Sequence, residues 1–409
     1  MKILVIAESL RINETSSGIV SSTFLKALSE NKRNEIICLY HKVFEYNITW
    51  LDAVKFIEIE KKVYKGNKII DGVPKLRGLL TNIVGIHNKT NHEIKRWKNS
   101  INKVLSTNKI DLIVTLGSGA EFHPNYAMLK VKTKITWLAN FHDPYPFSVY
   151  PKPYQKKRTH LLKRQEFFTK RMIYKANYVS FPSLYLKDLM QSTYGFSNNK
   201  SIILPHVGLA LTKLPTKSID DKISLPEGRF NLLHAGTLLG PRKVDALFNA
   251  FVRFINSDKE KKEFAILNVL GNVAKDNLEI ISKHQLLKNI NVILDRASYK
   301  KSLELTSQAN VSIIVEANAD FSPFMPGKLA DLIFLEKPIL ALTPKISETI
   351  RILGENYPYQ ARVNDEKQIL EKLELLWRDW KSEKLNLPNA FQLKNYISSE
   401  EFNKKINTL

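Results

Sequence analysis

Short unbroken apolar runs recur through the first half of the chain, and between them apolar residues return every three or four positions. "KILVIAE", "EIICLYH", "DLIVTLG" and "KITWLANF" are such runs, each ending in a polar or glycine-containing loop. "NYVSFPS" and "SIILPH" complete the series. Continuous apolar runs of this length suit strands buried on both faces. "SGIVSSTFLKALSE" has helical spacing instead and is entered through Ser16, Ser17 and Gly18. Strands alternating with helical patterns predict a parallel sheet covered by helices.

The rhythm lapses over residues 208–228, "GLALTKLPTKSIDDKISLPEG", which Pro215, Pro226 and Gly228 punctuate. This stretch reads as a linker. Alternation then restarts, with strands at "RFNLLHAG", "EFAILNVLG", "NVILD", "VSIIVEA" and "PILAL". Helical patterns fall at "KVDALFNAFVRFIN", "YKKSLELTSQA", "PGKLADLIFLE", "DEKQILEKLELLWRDW" and "SSEEFNKKINTL". The predicted class is α/β, as two tandem Rossmann-like doubly wound domains with a cleft between them. The first covers residues 1–207 and the second residues 229–390. Residues 391–409 form a C-terminal helix expected to return to the first domain.

Composition narrows the function classes. The 409 residues include one cysteine, Cys38, which excludes an intramolecular disulfide and multi-cysteine zinc sites and fits a reducing cytosol. The opening apolar run stops at Glu8, too soon for a signal peptide, and no stretch approaches the ~20 apolar residues of a membrane span. The net charge of +22 is uneven, since residues 1–207 hold 33 Lys+Arg against 15 Asp+Glu and the remainder 29 against 25. An excess confined to one half points to an anionic partner there: nucleic acid, anionic lipid or a diphosphate-bearing substrate. "KPYQKKRTHLLKRQEFFTKRMIYK" concentrates nine of these cations against Glu166 alone, interleaved with Leu161, Leu162, Phe167, Phe168, Met172 and Ile173. "GVPKLRGLLTNIVGIHNK" mixes aliphatics with Lys75, Arg77 and Lys89. Basic plus apolar suits a segment lying on an anionic membrane, and equally an ordinary amphipathic helix. No RNA-binding aromatic motif or zinc finger accompanies it.

Ligands of doubly wound sheets bind beyond the carboxyl ends of the strands, so the loops there carry the candidate chemistry. "HAGTLLGPRKVDALF" ends a strand at Gly236, passes Gly240 and Pro241, and presents Arg242 and Lys243 at a helix entrance. Cations beside unpaired helix N–H groups make an anion site, or else a solvated basic loop. In "FSPFMPGKLADLIFLEKPILALTP", Lys328 lies beside the loop amides at another helix entrance, with Asp331 three residues on. Two such entrances in one domain suggest a diphosphate held between them. "WLANFHDPYPF" places His142 and Asp143 at a strand end stiffened by Pro144 and Pro146. Ser17 and Gly18 follow the first strand as a possible cleft loop, without the G-x-G-x-x-G fingerprint of dehydrogenases. Neither a G-x-S-x-G elbow nor a P-loop is present, which argues against serine hydrolases and P-loop nucleotidases.

On these residues the sequence resembles the GT-B glycosyltransferases, and is most similar to the large retaining, nucleotide-sugar-dependent group (glycosyl transferases group 1, family-four-like). The resemblance runs over nearly the whole chain and is strongest over residues 230–345. "LLHAGTLLGPRK" resembles the donor loop of that group, with Gly236 and Lys243 in its glycine and lysine places. "PGKLADLIFLEKPILAL" resembles its closing segment, with Asp331 where the second acid of a Glu-x(7)-Glu motif stands. "NFHDPYP" matches the loop that faces the transferred sugar, and "SIILPHVG" the strand before the linker. Two positions depart: Thr237 replaces the usual donor-loop arginine, whose charge Arg242 could supply, and Pro323 replaces the first acid, for which Asp320 or Glu316 would have to substitute.

The resemblance implies transfer of a sugar from a UDP- or GDP-linked donor, with no cofactor and no metal. The first domain would bind the acceptor, a glycan or lipid-linked oligosaccharide in bacterial surface polysaccharide assembly, and the second the donor. Donor contacts would come from Gly236, Thr237, Arg242, Lys243, Ser322, Phe324, Met325, Pro326, Gly327, Lys328 and Leu329, with Asp331 on the ribose. Arg296, Ser298 and Tyr299 follow a strand and would meet the base. His142 would contact the sugar and Asp143 would orient it. The protein would work in the cytoplasm, peripheral on the inner face of the membrane, without nucleic acid. A nucleotide-sugar epimerase and a non-catalytic glycan-assembly partner remain as alternatives.

Overall fold

The computed structural model describes all residues except 43–46, 60–85, 87, 118–121, 209 and 285–286. Lys75 and Arg77 of the second basic stretch therefore lie outside the described residues. The chain divides into two compact units, Met1–Val207 with Ser398–Leu409, and Gly208–Ile397.

In unit 1 the apolar runs become β1 (Lys2–Ala7), β2 (Glu35–Tyr40), β3 (Val54–Glu58), β4 (Leu112–Leu116), β5 (Thr136–Asn140), β6 (Tyr178–Phe181) and β7 (Ser201–Ile203). They form one parallel sheet in the order β3-β2-β1-β4-β5-β6-β7. The strand order reverses between β1 and β4, which opens the crevice where such sheets take ligands. Every residue of β4 is buried. This is why the strands read as continuous apolar runs rather than alternations.

Helices α1 (Ser16–Glu30), α2 (Asn88–Thr107), α3 (His123–Met128), α4 (His160–Lys175) and α5 (Leu184–Tyr194) belong to this unit. Thr15 caps α1, its hydroxyl accepting from the Gly18 amide at 3.0 Å. A Cβ at Gly18 would sit 2.4 Å from the Arg11 carbonyl oxygen. The glycine is thus required by the loop folding back on the helix. On α4, Leu162, Met172 and Ile173 are buried. The other face carries Lys163, Phe167, Lys170, Arg171 and Tyr174, all exposed at i, i+4, i+7, i+8 and i+11. Phe167 and Tyr174 are 49% and 53% exposed, with Arg164 and Arg171 near the first ring and Lys170 near the second. The lone acid of the segment, Glu166, is taken up by Arg158 and by the Ser148 hydroxyl at 2.7 Å.

Unit 2 repeats the design with β8 (Phe230–Ala235), β9 (Ala265–Leu270), β10 (Ile290–Ile293), β11 (Val311–Val315), a short β12 (Phe321–Ser322), β13 (Ile339–Thr343), a short β14 (Ile346–Ser347) and β15 (Gln360–Arg362). The main order is β10-β9-β8-β11-β13-β15, so its reversal falls between β8 and β11. The helices are α6 (Asp245–Asn256), α7 (Lys259–Phe264), α8 (Lys275–Ser282), α9 (Tyr299–Gln308), α10 (Gly327–Phe334), α11 (Glu348–Leu353), α12 (Glu366–Lys381) and α13 (Ala390–Tyr396). Trp377 of α12 packs edge-on against Phe230 and Phe254, with ring centroids 5.5 and 6.1 Å away.

Two boundaries differ from the sequence reading. The linker stretch folds onto unit 2. Ile223 and Leu225 are buried against Leu233, Leu270 and Leu305, and Asp220 Oδ1 accepts from the Ser298 amide at 2.9 Å. The prolines and charges hid these apolar anchors. The C-terminal stretch is two helices rather than one. Leu393 and Ile397 are buried in unit 2, whereas α14 (Ser399–Ile406) joins unit 1.

Three contacts fix α14 to unit 1. Phe402 meets Phe24 edge-on at 4.8 Å, Asn403 Nδ2 donates to the Ala27 carbonyl at 2.7 Å, and Lys405 Nζ donates to the Ile203 carbonyl at 2.9 Å. Phe402→Ala should therefore cost about 3 kcal/mol of unit 1 stability in urea unfolding. A loss below about 1 kcal/mol would mean that this helix contributes little.

Candidate functional site

The reversal point of unit 2 gathers several sequence-chosen residues. Beyond β8 the chain turns at Gly236, whose φ of 141° lies in a region side chains rarely adopt. Its carbonyl packs so tightly on the next loop that a Cβ at Gly271 would lie 2.8 Å from it. Lys328, from the first turn of α10, brings its ammonium to 3.3 Å from His234 Nδ1 and 3.5 Å from the Ala235 and Ile313 carbonyls. Gly236 leaves the space beside that ammonium open: a Cβ there would come within 3.8 Å of Nζ. Burial, with the charge of Arg242 added, pushes Lys328 down to about 7. Burial, with the charges of Lys328 and Arg242, holds His234 well below its ordinary value, against the pull of the Ile313 carbonyl.

Arg242 is positioned by its loop. Its guanidinium donates to the Thr237 carbonyl at 3.2 Å, Asn277 Nδ2 holds the Leu239 and Arg242 carbonyls, and the Asn318 amide donates to the Pro241 carbonyl. The Arg242 Nε is buried without a partner among the described residues. Glu316, just past β11, is buried as well. Ser347 Oγ donates to its Oε1 at 2.9 Å, Thr349 Oγ1 donates to the same oxygen, and Oε2 lacks a partner among the described residues. Burial raises its carboxyl, while the hydroxyls and Arg242 oppose that rise. Of the two carboxylates considered as substitutes at Pro323, Glu316 therefore shares the electrostatic neighbourhood of Arg242, and Asp320 is exposed.

Asp331 and Tyr299 also meet, the phenol donating to Oδ1 at 2.7 Å. Burial raises Asp331 to about 7 against that hydrogen bond. Other expectations need correcting. Lys243 does not join Lys328. It precedes α6 and pairs with Asp276 of α8 at 2.9 Å, at an exposed position. Ser298 is buried, and its hydroxyl caps α9 by accepting from the Lys301 amide at 3.0 Å. Met325 and Leu329 are core residues, leaving their side chains no room for a ligand. Arg296 and Thr237 are exposed, while Ser322, Phe324, Pro326 and Gly327 line the approach to α10.

In unit 1, His142 lies past β5 with its Nε2 3.9 Å from Asp143 Oδ2 and its ring stacked near Phe122. Burial lowers it to about 4, so it is neutral at physiological pH. Ser17 and Gly18 lie within the first turn of α1 and serve its packing. Sequence reasoning overlooked Glu8 and His123, which meet at the β1/β4 reversal. The signal was a carboxylate at the end of a strand buried from Ile3 onward. Among the described residues, no group of three His, Cys, Asp or Glu side chains is placed to hold a metal, and no helix is long and apolar enough to cross a membrane.

No family model and no curated protein matches the sequence. Solved structures match it over its full length. A glycosyltransferase from Rickettsia africae is 13% identical, with 100% of this chain and 97% of that chain covered and a TM-score of 0.63. The apo form of the lipopolysaccharide outer core galactosyltransferase WaaB is 12% identical, with 100% and 99% covered and a TM-score of 0.57. HepE of Anabaena in complex with UDP and glucose is 12% identical, with 100% and 98% covered and a TM-score of 0.62. The chain has the GT-B fold. At these identities the likeness is one of fold, and two GT-B Rossmann-like units match the two parallel sheets.

The Lys328 environment predicts a stability signature. A lysine near 7 in the fold is fully protonated in the unfolded chain until about 10, so the unfolded state binds more protons between those values and stability rises with pH there. Lys328→Met removes that dependence. It should raise the apo melting temperature at pH 6 and flatten the profile from about pH 7 to 10. An unchanged profile would mean that the ammonium is solvated.

Proposed function

We propose that this protein is a glycosyltransferase that moves a sugar from a nucleotide-sugar donor to a glycan or lipid-linked acceptor. The observation that carries the reading is the pair of cations, Lys328 and Arg242, converging at the β8/β11 reversal beside the open flank of Gly236. Held there, a diphosphate would meet positive charge fixed before it binds. As the sugar–phosphate bond breaks, charge grows on the leaving oxygen, and fixed cations stabilise that state more than the ground state. These side chains supply the charge themselves, so the proposed chemistry uses no metal and no cofactor. Asp331, braced by Tyr299, is the candidate partner for ribose hydroxyls.

A UDP-linked donor is favoured over a GDP-linked one, since HepE was solved with UDP and with UDP-glucose. A hexose as the transferred sugar and retention of configuration follow from the family resemblance. His142, neutral and walled by Phe122, is the proposed sugar contact, with Asp143 orienting it. A role in bacterial surface polysaccharide assembly is supported by the likeness to WaaB, named for the lipopolysaccharide outer core. The second reading, a non-catalytic assembly partner, draws on Pro323 standing where an acid is expected and on Glu316 being occupied by hydroxyls. The exposed aromatic–basic stripe of α4 supports a peripheral site on the cytoplasmic face of an anionic membrane. Aromatic rings flanked by cations suit that interface.

UDP and GDP should each raise the melting temperature, because a ligand that binds only the native state stabilises it. Arg242→Ala or Lys328→Ala should weaken the UDP effect by at least about tenfold in affinity, since each removes a charge-assisted contact. Lys243→Ala should leave it nearly unchanged. Affinity should also fall from pH 6 to pH 8.5, as Lys328 loses its proton near 7. If none of the nucleotides shifts the melt, the donor assignment is wrong.

Vesicles of phosphatidylcholine with phosphatidylglycerol should sediment the protein, and phosphatidylcholine alone should not. Phe167→Ala with Tyr174→Ala should reduce that binding several-fold. Binding that persists in the double variant, or that duplex DNA competes away, would contradict the membrane assignment.

A further inference from the structure

Within unit 2, residues 208–228 grip the start of α9. Asp220 is 5% exposed, and both of its carboxylate oxygens are taken by backbone amides. Oδ1 accepts from the Ser298 amide at 2.9 Å and Oδ2 from the Lys217 amide at 2.8 Å. Lys217 Nζ in turn donates to the Arg296 carbonyl at 3.3 Å. Ile219 and Ile223 pack in one cluster with Ile293 and Ala297. The loop between β10 and α9 is therefore held along its length by this segment.

The grip fills a gap in the helix's own sequence. A helix entered through serine is closed by a glutamate or glutamine three residues on, which accepts from the serine's backbone N–H. Here the serine half is in place, with Ser298 Oγ accepting from the Lys301 amide at 3.0 Å. The residue three positions on is Lys301 itself, whose ammonium offers no acceptor. Asp220, 78 positions upstream, accepts from the Ser298 amide instead. Ile223 and Leu225 already anchor the segment by burial, and a buried carboxylate destabilises unless it is well bonded. What the carboxylate adds is direction. It fixes the backbone of Ser298, and the next residue is Tyr299, whose buried phenol donates to Asp331 Oδ1 at 2.7 Å.

We propose that Asp220 is a positioning residue for the nucleoside half of the ligand of unit 2. It acts through Tyr299. The capped backbone aims the phenol at Asp331, and the phenol holds that carboxylate in one orientation for ribose hydroxyls. The diphosphate half meets Lys328 and Arg242, neither of which bonds to Asp220. Asp220 thus sets the preference for a nucleoside diphosphate over bare diphosphate. The ligand readout rests on the glycosyltransferase reading. The bracing of Asp331 from Asp220 through Tyr299 does not.

Two measurements on the full chain test this. The first compares the affinities of UDP and inorganic pyrophosphate. Asp220→Ala should weaken UDP about tenfold and leave pyrophosphate within about twofold. Tyr299→Phe keeps the ring's packing without the phenol oxygen and should give the same pattern, including where Asp220→Ala does not fold. Lys301→Glu puts the missing acceptor into the helix's own first turn and should restore UDP affinity to Asp220→Ala. Equal losses for both ligands, an unchanged UDP affinity in either single variant, or a double variant that folds without regaining UDP would overturn the proposal. The second follows the Asp331 carboxyl by NMR without ligand. It should titrate at about 7 in the native protein and move upward in Asp220→Ala and in Tyr299→Phe, because the phenol's hydrogen bond favours the charged form. A titration that follows Tyr299→Phe but ignores Asp220→Ala would show that Asp220 does not aim the phenol. If the native protein binds neither ligand, the donor reading fails and the Asp331 titration alone decides the role of Asp220.

Discussion

The ammonium of Lys328 is held among backbone carbonyls with the charge of Arg242 beside it, and the account of unit 2 rests on that placement. A lysine with free access to water has no reason to sit near 7. This one does because the fold removes its water and sets a second cation close by. Both conditions come from the sheet. The order reversal between β8 and β11 leaves strand ends uncovered, α10 enters there, and the loop after Gly236 is locked by Asn277 so that Arg242 returns to the same spot. The arrangement is unfavourable in the empty protein. A bound polyanion would relieve the repulsion and return the lysine to its charged form.

The two units solve the same problem with different chemistry. Each places a buried carboxylate just past a strand at its reversal point, Glu316 in one and Glu8 in the other, each with one oxygen unmatched. In unit 2 the carboxylate stands within the field of Arg242. In unit 1 it stands by His123 and His41. The surplus positive charge of residues 1–207 shows at α4, where basic and aromatic side chains share a face turned away from the core.

Much of the fold was legible in the sequence because parallel strands buried on both faces leave unbroken apolar runs, and all the strands named from such runs form. What was missed has physical causes. Ile223 and Leu225 lie among prolines and charges, so local composition concealed that they anchor residues 208–228 to unit 2. The break at Ile397–Ser398 carries no proline or glycine, so two helices read as one. For the site, spacing along the chain located Lys328, Asp331 and Arg242 but could not choose between Arg242 and Lys243, adjacent residues whose directions differ. Lys243 reaches Asp276, a partner 33 positions away that no local pattern links to it. Glu8 and His123 are 115 positions apart, and only the strand order brings them together.

The most direct test is the ionisation of Lys328 itself, followed by NMR of the labelled side-chain nitrogen with and without UDP. The account predicts titration near 7 in the empty protein and a rise well above that value when UDP binds. An ordinary lysine value in the empty protein, unmoved by saturating UDP, would contradict it.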